Sequence, residues 1–293
     1  MAFLRGHVAN NGVTQLRRTI TNHAATVVAA TLSALVVSAL VAIFAYLAIK
    51  GATSLNWSFL TQTPKPVGEV GGGMSNALIG SVIILLIASV LGLPVGIGAG
   101  IYLAEYGQNR LGQAIRFTAD VLNGVPSIVI GLVAYGLVVY QQGHFSALAG
   151  GVALAIMMVP ILARTTEEML RLVPTAVREA AFGLGIPQWR TTVSITLATA
   201  RAGIITGIML AFARVAGETA PLLFTALGNQ FWNLSPNQPM AALPLQIYVY
   251  ANSPYEDWHR QAWAGALLLI IMIVGTTSIV RFVFRQRIGG GAR

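Results

Sequence analysis

The sequence predicts an all-α, polytopic membrane protein with six transmembrane helices in one domain. Three observations predict it. Charged residues make up 9% of the 293, against roughly 25% in soluble domains. Hydrophobic residues make up 55%, and mean hydropathy is +0.71. Several runs longer than a bilayer-spanning helix carry no charge at all. A soluble fold needs polar side chains over its surface, and this chain has too few. The composition argues against a soluble enzyme and excludes a disordered tail or a collagen-like chain.

The elements follow from the uncharged runs. Ala24–Ile49 holds 26 residues. As a helix it is about 39 Å long, enough to cross a ~30 Å hydrocarbon layer. It is too long for the apolar region of a signal peptide, so an uncleaved span is expected. The next run, Val70–Ala104, opens on a loop with Gly71, Gly72 and Gly73 and continues as a span over Ala77–Leu103. Pro94 lies inside that span, where membrane helices tolerate proline. Val121–Ala163 is 43 residues without a charge. That length fits a helical hairpin, with spans Leu122–Tyr140 and Phe145–Ala163 and the turn at Gln141-Gln142-Gly143-His144. A polar stretch from Arg164 to Arg190 leads to a fifth span, Thr191 to about Ala216, interrupted by Arg201 and Arg214. Five prolines between Pro221 and Pro254 argue against one helix and predict an outer loop with short pieces. The sixth span is Ala262–Val280.

Charge placement orients these spans. With the N-terminus inside, segments 1–23, 104–120, 164–190 and 281–293 are cytoplasmic and hold 13 of the 18 basic residues. The outer segments hold Lys50, Lys65 and Arg260. This is the positive-inside pattern. The formal charge of +9 and the pI near 10.5 are thereby topological, and nucleic acid is not expected as a partner. Trp57, Trp232, Trp258 and Trp263 fall in or beside the outer loops, as an interfacial belt would.

Gly92, Gly96 and Gly100 recur at four-residue spacing, as do Gly203 and Gly207. Both sets predict close helix–helix packing. Several chemistries are missing. Neither lysine stands in a P-loop context, the four histidines are scattered, and no Gly-x-Ser-x-Gly occurs. With no cysteine, thiolate metal sites and thiol catalysis are excluded. No metal site, cofactor or catalytic residue is expected in this chain.

Segment 164–190 reads as a short helix, a turn at Gly185 and Pro187, and a second short piece leading into span five. That makes a rigid knob with Arg178 and Glu179 exposed. Glu179-Ala180-Ala181-x-x-x-Gly185, with Ile195-x-Leu197 after nine further residues, resembles the EAA loop of bacterial ABC-importer permeases. The chain departs from that pattern at Ala198, where the family has proline. Ile101-Tyr-Leu-Ala-Glu-Tyr106, Gly124-Val-Pro-Ser-Ile128 and Gly217-Glu-Thr-Ala-Pro-Leu-Leu-Phe224 resemble the permeases of the phosphate-specific importers. Leu243-Pro-Leu-Gln-Ile247 and Ser253-Pro-Tyr-Glu-Asp-Trp-His259 do the same, and the pattern is similar to the PstA-type branch. The resemblance runs from about residue 24 to the end.

The resemblance implies a type I ABC importer permease in a bacterial plasma (inner) membrane, moving inorganic phosphate into the cell. Residues 1–23 would be a cytoplasmic segment, 24–284 the permease domain and 285–293 a cytoplasmic tail. The implied partners are a second homologous permease subunit, an ATP-binding cassette ATPase dimer that uses ATP and Mg²⁺, and a periplasmic or surface phosphate-binding protein. Membrane lipid surrounds the spans. Arg178, Glu179, Ala180, Ala181 and Gly185 would form the ATPase coupling element.

Arg214 and Glu218 stand out as charges within or at the end of a span. At i and i+4 they would share a helix face and neutralise each other, although Arg preceding Glu is the weaker order for helix support. A guanidinium suits a tetrahedral oxyanion, so Arg214, Glu218 and Thr219 are the expected phosphate pathway residues. Arg201 is expected to snorkel. The alternatives are a permease for another oxyanion such as molybdate or phosphonate, a non-transporting scaffold subunit, and an ion channel.

Overall fold

The computed structural model describes residues 2–289. These are mostly helical, 78%. Among the described residues there is no strand, only isolated bridges at Pro64–Gly72 and Leu227–Met240. The chain divides into two compact units, one up to Lys50 and one from Gly51 on. The first unit belongs to α1 (Ala2–Ala52), in which every side chain from Arg17 to Tyr46 is exposed. Its length and apolar composition suit a membrane-crossing helix.

The second unit begins with α2 (Trp57–Thr61) and α3 (Ser75–Glu105). Asn56 caps α2 by accepting the Phe59 N–H at 2.8 Å. Helix α4 (Arg110–Gly124), capped by Asn109, meets α5 (Ser127–Ala134) at a 110° bend. The expected continuous span over Leu122–Tyr140 is therefore corrected: the helix is broken between Gly124 and Ser127. Pro126 has no N–H to give and holds Val125 extended, at φ −72° and ψ 133°, which ends α4. From α5 the span continues through a π-turn (Tyr135–Val139) into α6 (Tyr140–Gln142). Gly143, at φ +75°, closes it at the expected hairpin turn.

Helix α7 (Ala147–Arg171) starts at a Ser146 cap and extends two turns past Ala163. Segment 164–190, the expected coupling segment, holds α8 (Thr175–Gly183) and α9 (Gln188–Thr191). A π-turn over Thr192–Thr196 joins α9 to α10 (Leu197–Ala216), which is continuous through Ala198. The proline-rich region forms α11 (Ala220–Leu223) and α12 (Leu243–Ala251), and α13 (Glu256–Gly289) completes the chain. Among the described residues, five helices are long and apolar enough to cross a membrane, or six if the bent α4–α5 pair is one span.

Helix α7 is the centre of the core. A Cβ built on Gly92 would stand 3.2 Å from Met158 Sδ, one on Gly96 2.6 Å from Leu162 Cβ, and one on Gly100 2.5 Å from Thr166 Cβ. Three glycines on α3 thus face three residues at matching four-residue spacing on α7. Further along α7, on an adjacent face, Cβ atoms on Gly203 and Gly207 would stand 2.3 Å from Met169 Sδ and 2.6 Å from Thr165 Oγ1. At both seams the backbones approach to distances that any larger residue would open.

Opposite the coupling segment, the short helices cap the bundle. The Leu243 N–H donates to Ser81 Oγ at 2.7 Å, and a Cβ on Gly80 would stand 1.9 Å from the Ala241 carbonyl. Gln261 Nε2 donates to the Gly71 carbonyl at 2.9 Å, which ties the glycine loop to α13. Trp258 packs against a neighbouring ring. It stacks on Tyr250 with ring centroids 4.3 Å apart and is partly buried, while Trp57 and Trp232 are exposed.

Candidate functional site

The first candidate site is the coupling segment. Arg171 ends α7, and Pro174 restarts the chain into α8. Ala181 is buried against the bundle while Glu179 and Ala180 are exposed. Gly185 follows α8 at φ +77°, a conformation that favours glycine, and Pro187 precedes α9. Leu172, Phe182, Leu184 and Trp189 are exposed around α8 and α9. Together they give the knob an apolar surface with Glu179 on it.

Arg178 corrects the expectation of an exposed guanidinium. Its Nη1 lies 2.6 Å from Glu105 Oε1 at the end of α3, and its Nη2 donates to the Leu170 carbonyl at 2.7 Å. Arg178 therefore fastens α8 to α3 and α7. The side chain of Glu105 is 6% exposed, so the pair is largely withdrawn from water.

Beside this clamp is a cluster that sequence reasoning missed. Glu167 has a side chain only 3% exposed and faces three arginines. Arg116 Nε lies 2.7 Å away, Arg171 Nη2 2.7 Å and Arg164 Nη1 3.3 Å. Arg116 also donates to the Gly107 and Leu103 carbonyls at 2.8 Å each, and Arg164 pairs with Asp120 as well. The cluster joins α4, α7 and the end of α3. A buried carboxylate survives ionised only with such partners. The one legible signal was local: Arg164, Glu167 and Arg171 recur at three- and four-residue spacing along one helix.

The second candidate site lies at the other end of α10. Arg214 is exposed in the last turn of the helix, and Glu218 is half-buried. The expected i, i+4 pairing on one helix face is corrected. Helix α10 ends at Ala216, so Glu218 is beyond it, and among the described residues no ion pair joins the two. Pro221 cannot supply an N–H to the Gly217 carbonyl, and its ring would clash there, so the helix cannot continue. Thr219 Oγ1 donates to the Pro244 carbonyl at 3.4 Å. Pro221 packs on the third span, where a Cβ on Gly131 would stand 2.7 Å from Pro221 Cα. The Glu218–Thr219 turn is thereby held between α5 and α12. Arg201, near the start of α10, is exposed.

Comparison with known proteins decides the family. The model for "Binding-protein-dependent transport system inner membrane component" matches residues 96–288. The chain belongs to this family. It is 48% identical over 239 residues to the "Phosphate transport system permease protein PstA" of Yersinia pestis, covering 81% of each chain. It is 49% identical to the protein of the same name from Pasteurella multocida, over 81% of this chain and 85% of that one. It is 41% identical to "Phosphate transport system permease protein PstA 1" of Mycobacterium tuberculosis, over 75% and 74% of the two chains. Among solved structures, the MetNI methionine ABC transporter in an inward-facing conformation aligns with a TM-score of 0.55 at 17% identity, over 75% of this chain and 95% of that one. An amino acid ABC transporter aligns at 0.51 and 18% identity, over 73% and 92%. These two likenesses speak for the fold alone.

Proposed function

We propose that this chain is the PstA-type permease subunit of an ATP-driven importer that carries inorganic phosphate across a bacterial inner membrane. The observation that carries the proposal is the 48% identity to a phosphate transport permease along 81% of both chains. In this reading a second, homologous permease completes the pathway, a phosphate-binding protein delivers the substrate, and a separate ATPase pair hydrolyses ATP with Mg²⁺. Both termini face the cytoplasm.

The geometry supports a division of labour. Helix α8 offers the ATPase an exposed surface at Glu179 and Ala180, and Arg178 and Ala181 tie it to the bundle. A thrust on α8 then reaches α3 and α7 without being absorbed by a slack loop. At the opposite end of α10, Arg214 supplies an exposed guanidinium whose fork of N–H donors matches a phosphate oxyanion. Glu218, close in sequence but unpaired with it among the described residues, keeps an anion from being held too tightly. Thr219 holds the turn.

The test is uptake of radiolabelled phosphate by the complete complex in proteoliposomes. The expected result is accumulation that needs ATP and the binding protein and that molybdate or phosphonate competes with poorly. Preferential uptake of either competitor would reassign the substrate. Accumulation that persists without ATP would point to a channel.

A further inference from the structure

Helix α4 is inverted relative to an ordinary surface helix. The face turned to the protein carries its charge: Arg116 donates to Glu167 and two carbonyls, and Asp120 accepts from Arg164. Gly112 and Ala119 are buried beside Arg116, while Asp120, 56% exposed, lies at the edge of this face. The face turned outward is mostly apolar, with Thr118 also exposed on it and Arg110 at its first turn. Phe117 is 71% exposed, Leu111 58% and Val121 48%, and Ala114 is exposed between them. Placed at 100° per residue, these four fall within one 120° arc, away from Gly112, Arg116 and Ala119. A helix bathed in water would show the opposite arrangement.

We propose that α4 lies in the plane of the membrane surface, with Leu111, Phe117 and Val121 seated at the boundary between lipid headgroups and acyl chains. Two further observations favour lipid as the occupant. The 110° bend turns α4 across the end of its span, where an in-plane helix must lie. The span itself, Ser127 to Gln142, has 16 residues and is about 24 Å long, roughly 6 Å short of the hydrocarbon thickness. Its first residues therefore sit at the edge of the hydrocarbon and draw α4 down to that level. The exposed apolar face is continuous across the bend with Ile128, Val129, Leu132 and Val133 of α5. Arg110, exposed at the first turn, reaches the lipid phosphates. Segment 104–120 is then no free cytoplasmic loop. It is a strut, lipid-bound on one face and bonded to Glu167 on the other.

The chain has no cysteine of its own, so single cysteines report cleanly once labelling of the unsubstituted complex is subtracted. Nitroxide labels at L111C, F117C, V121C and N123C would be read by electron paramagnetic resonance in lipid nanodiscs holding the whole complex; Asn123 is exposed opposite the apolar arc. Collision with oxygen reports lipid, and collision with a soluble nickel chelate reports water. The proposal expects the oxygen-to-nickel ratio at 111, 117 and 121 to exceed that at 123 severalfold. A ratio at 117 and 121 equal to that at 123 would overturn it by placing the face in water. Exclusion of both reagents at 117 and 121 would overturn it by placing a protein partner there.

Discussion

The two ends of the bundle treat charge in opposite ways. At the coupling end, Glu167 is buried among Arg116, Arg164 and Arg171, Asp120 balances Arg164, and Glu105 holds Arg178. At the other end, Arg214 and Glu218 are near in sequence, yet among the described residues neither takes part in an ion pair. Paired, buried charge holds elements in place, because breaking it leaves an uncompensated ion. Unpaired charge near the end of a span has no such structural use and is available to a substrate. On the proposed function, the contrast separates residues that transmit force from residues that meet the anion.

The largest expected break of this contrast is Glu167→Gln. It should cost about 3 kcal/mol, the low end of the range for breaking a buried pair because Arg164 and Arg171 still reach water. Thermal melting of the purified complex would show a clear drop, and an unchanged melt would remove the cluster from the account. Next comes the α3–α7 seam. Gly100→Leu adds a side chain whose Cβ would stand 2.5 Å from Thr166 Cβ, and overpacking of this kind costs about 1–3 kcal/mol. Gly98→Leu, where a Cβ meets nothing within 4 Å, should leave the melt nearly unchanged and serves as the control. A smaller effect on stability than at Glu167 or the seam is expected from Arg171→Gln. That guanidinium is 56% exposed, so the pair contributes about 0–1 kcal/mol and should weaken further in high salt.

The coupling surface sharpens the comparison differently. Glu179→Lys reverses an exposed charge that makes no ion pair among the described residues, so folding should be unaffected. Loss of the ATPase on copurification is the expected result. Unchanged association with unchanged transport would remove Glu179 from the interface.

What was legible in the sequence was one-dimensional. The uncharged runs marked the spans, four-residue glycine spacing marked the seams, and Gly185 with Pro187 marked the end of α8. What was hidden depended on distance in the chain. Arg116 meets Glu167 across 51 positions, and Arg178 meets Glu105 from another helix. No spacing rule connects such pairs, so Arg178 read as a solvated residue. The break at Pro126 was readable, since a residue before proline avoids helix, but the long apolar run around it suggested one continuous span. The Arg214–Glu218 pairing failed for a similar reason. An i, i+4 rule holds only while the helix lasts, and Pro221 ends it.

The most direct test of the division between the two ends is a paired measurement on Arg214→Gln and Glu167→Gln complexes, each assayed for thermal melting and for ATP-driven phosphate uptake. The account predicts that Arg214→Gln melts and assembles as the unsubstituted complex does while uptake is abolished, and that Glu167→Gln melts at a lower temperature. Normal uptake by Arg214→Gln, or a melt lowered as far as that of Glu167→Gln, would contradict it.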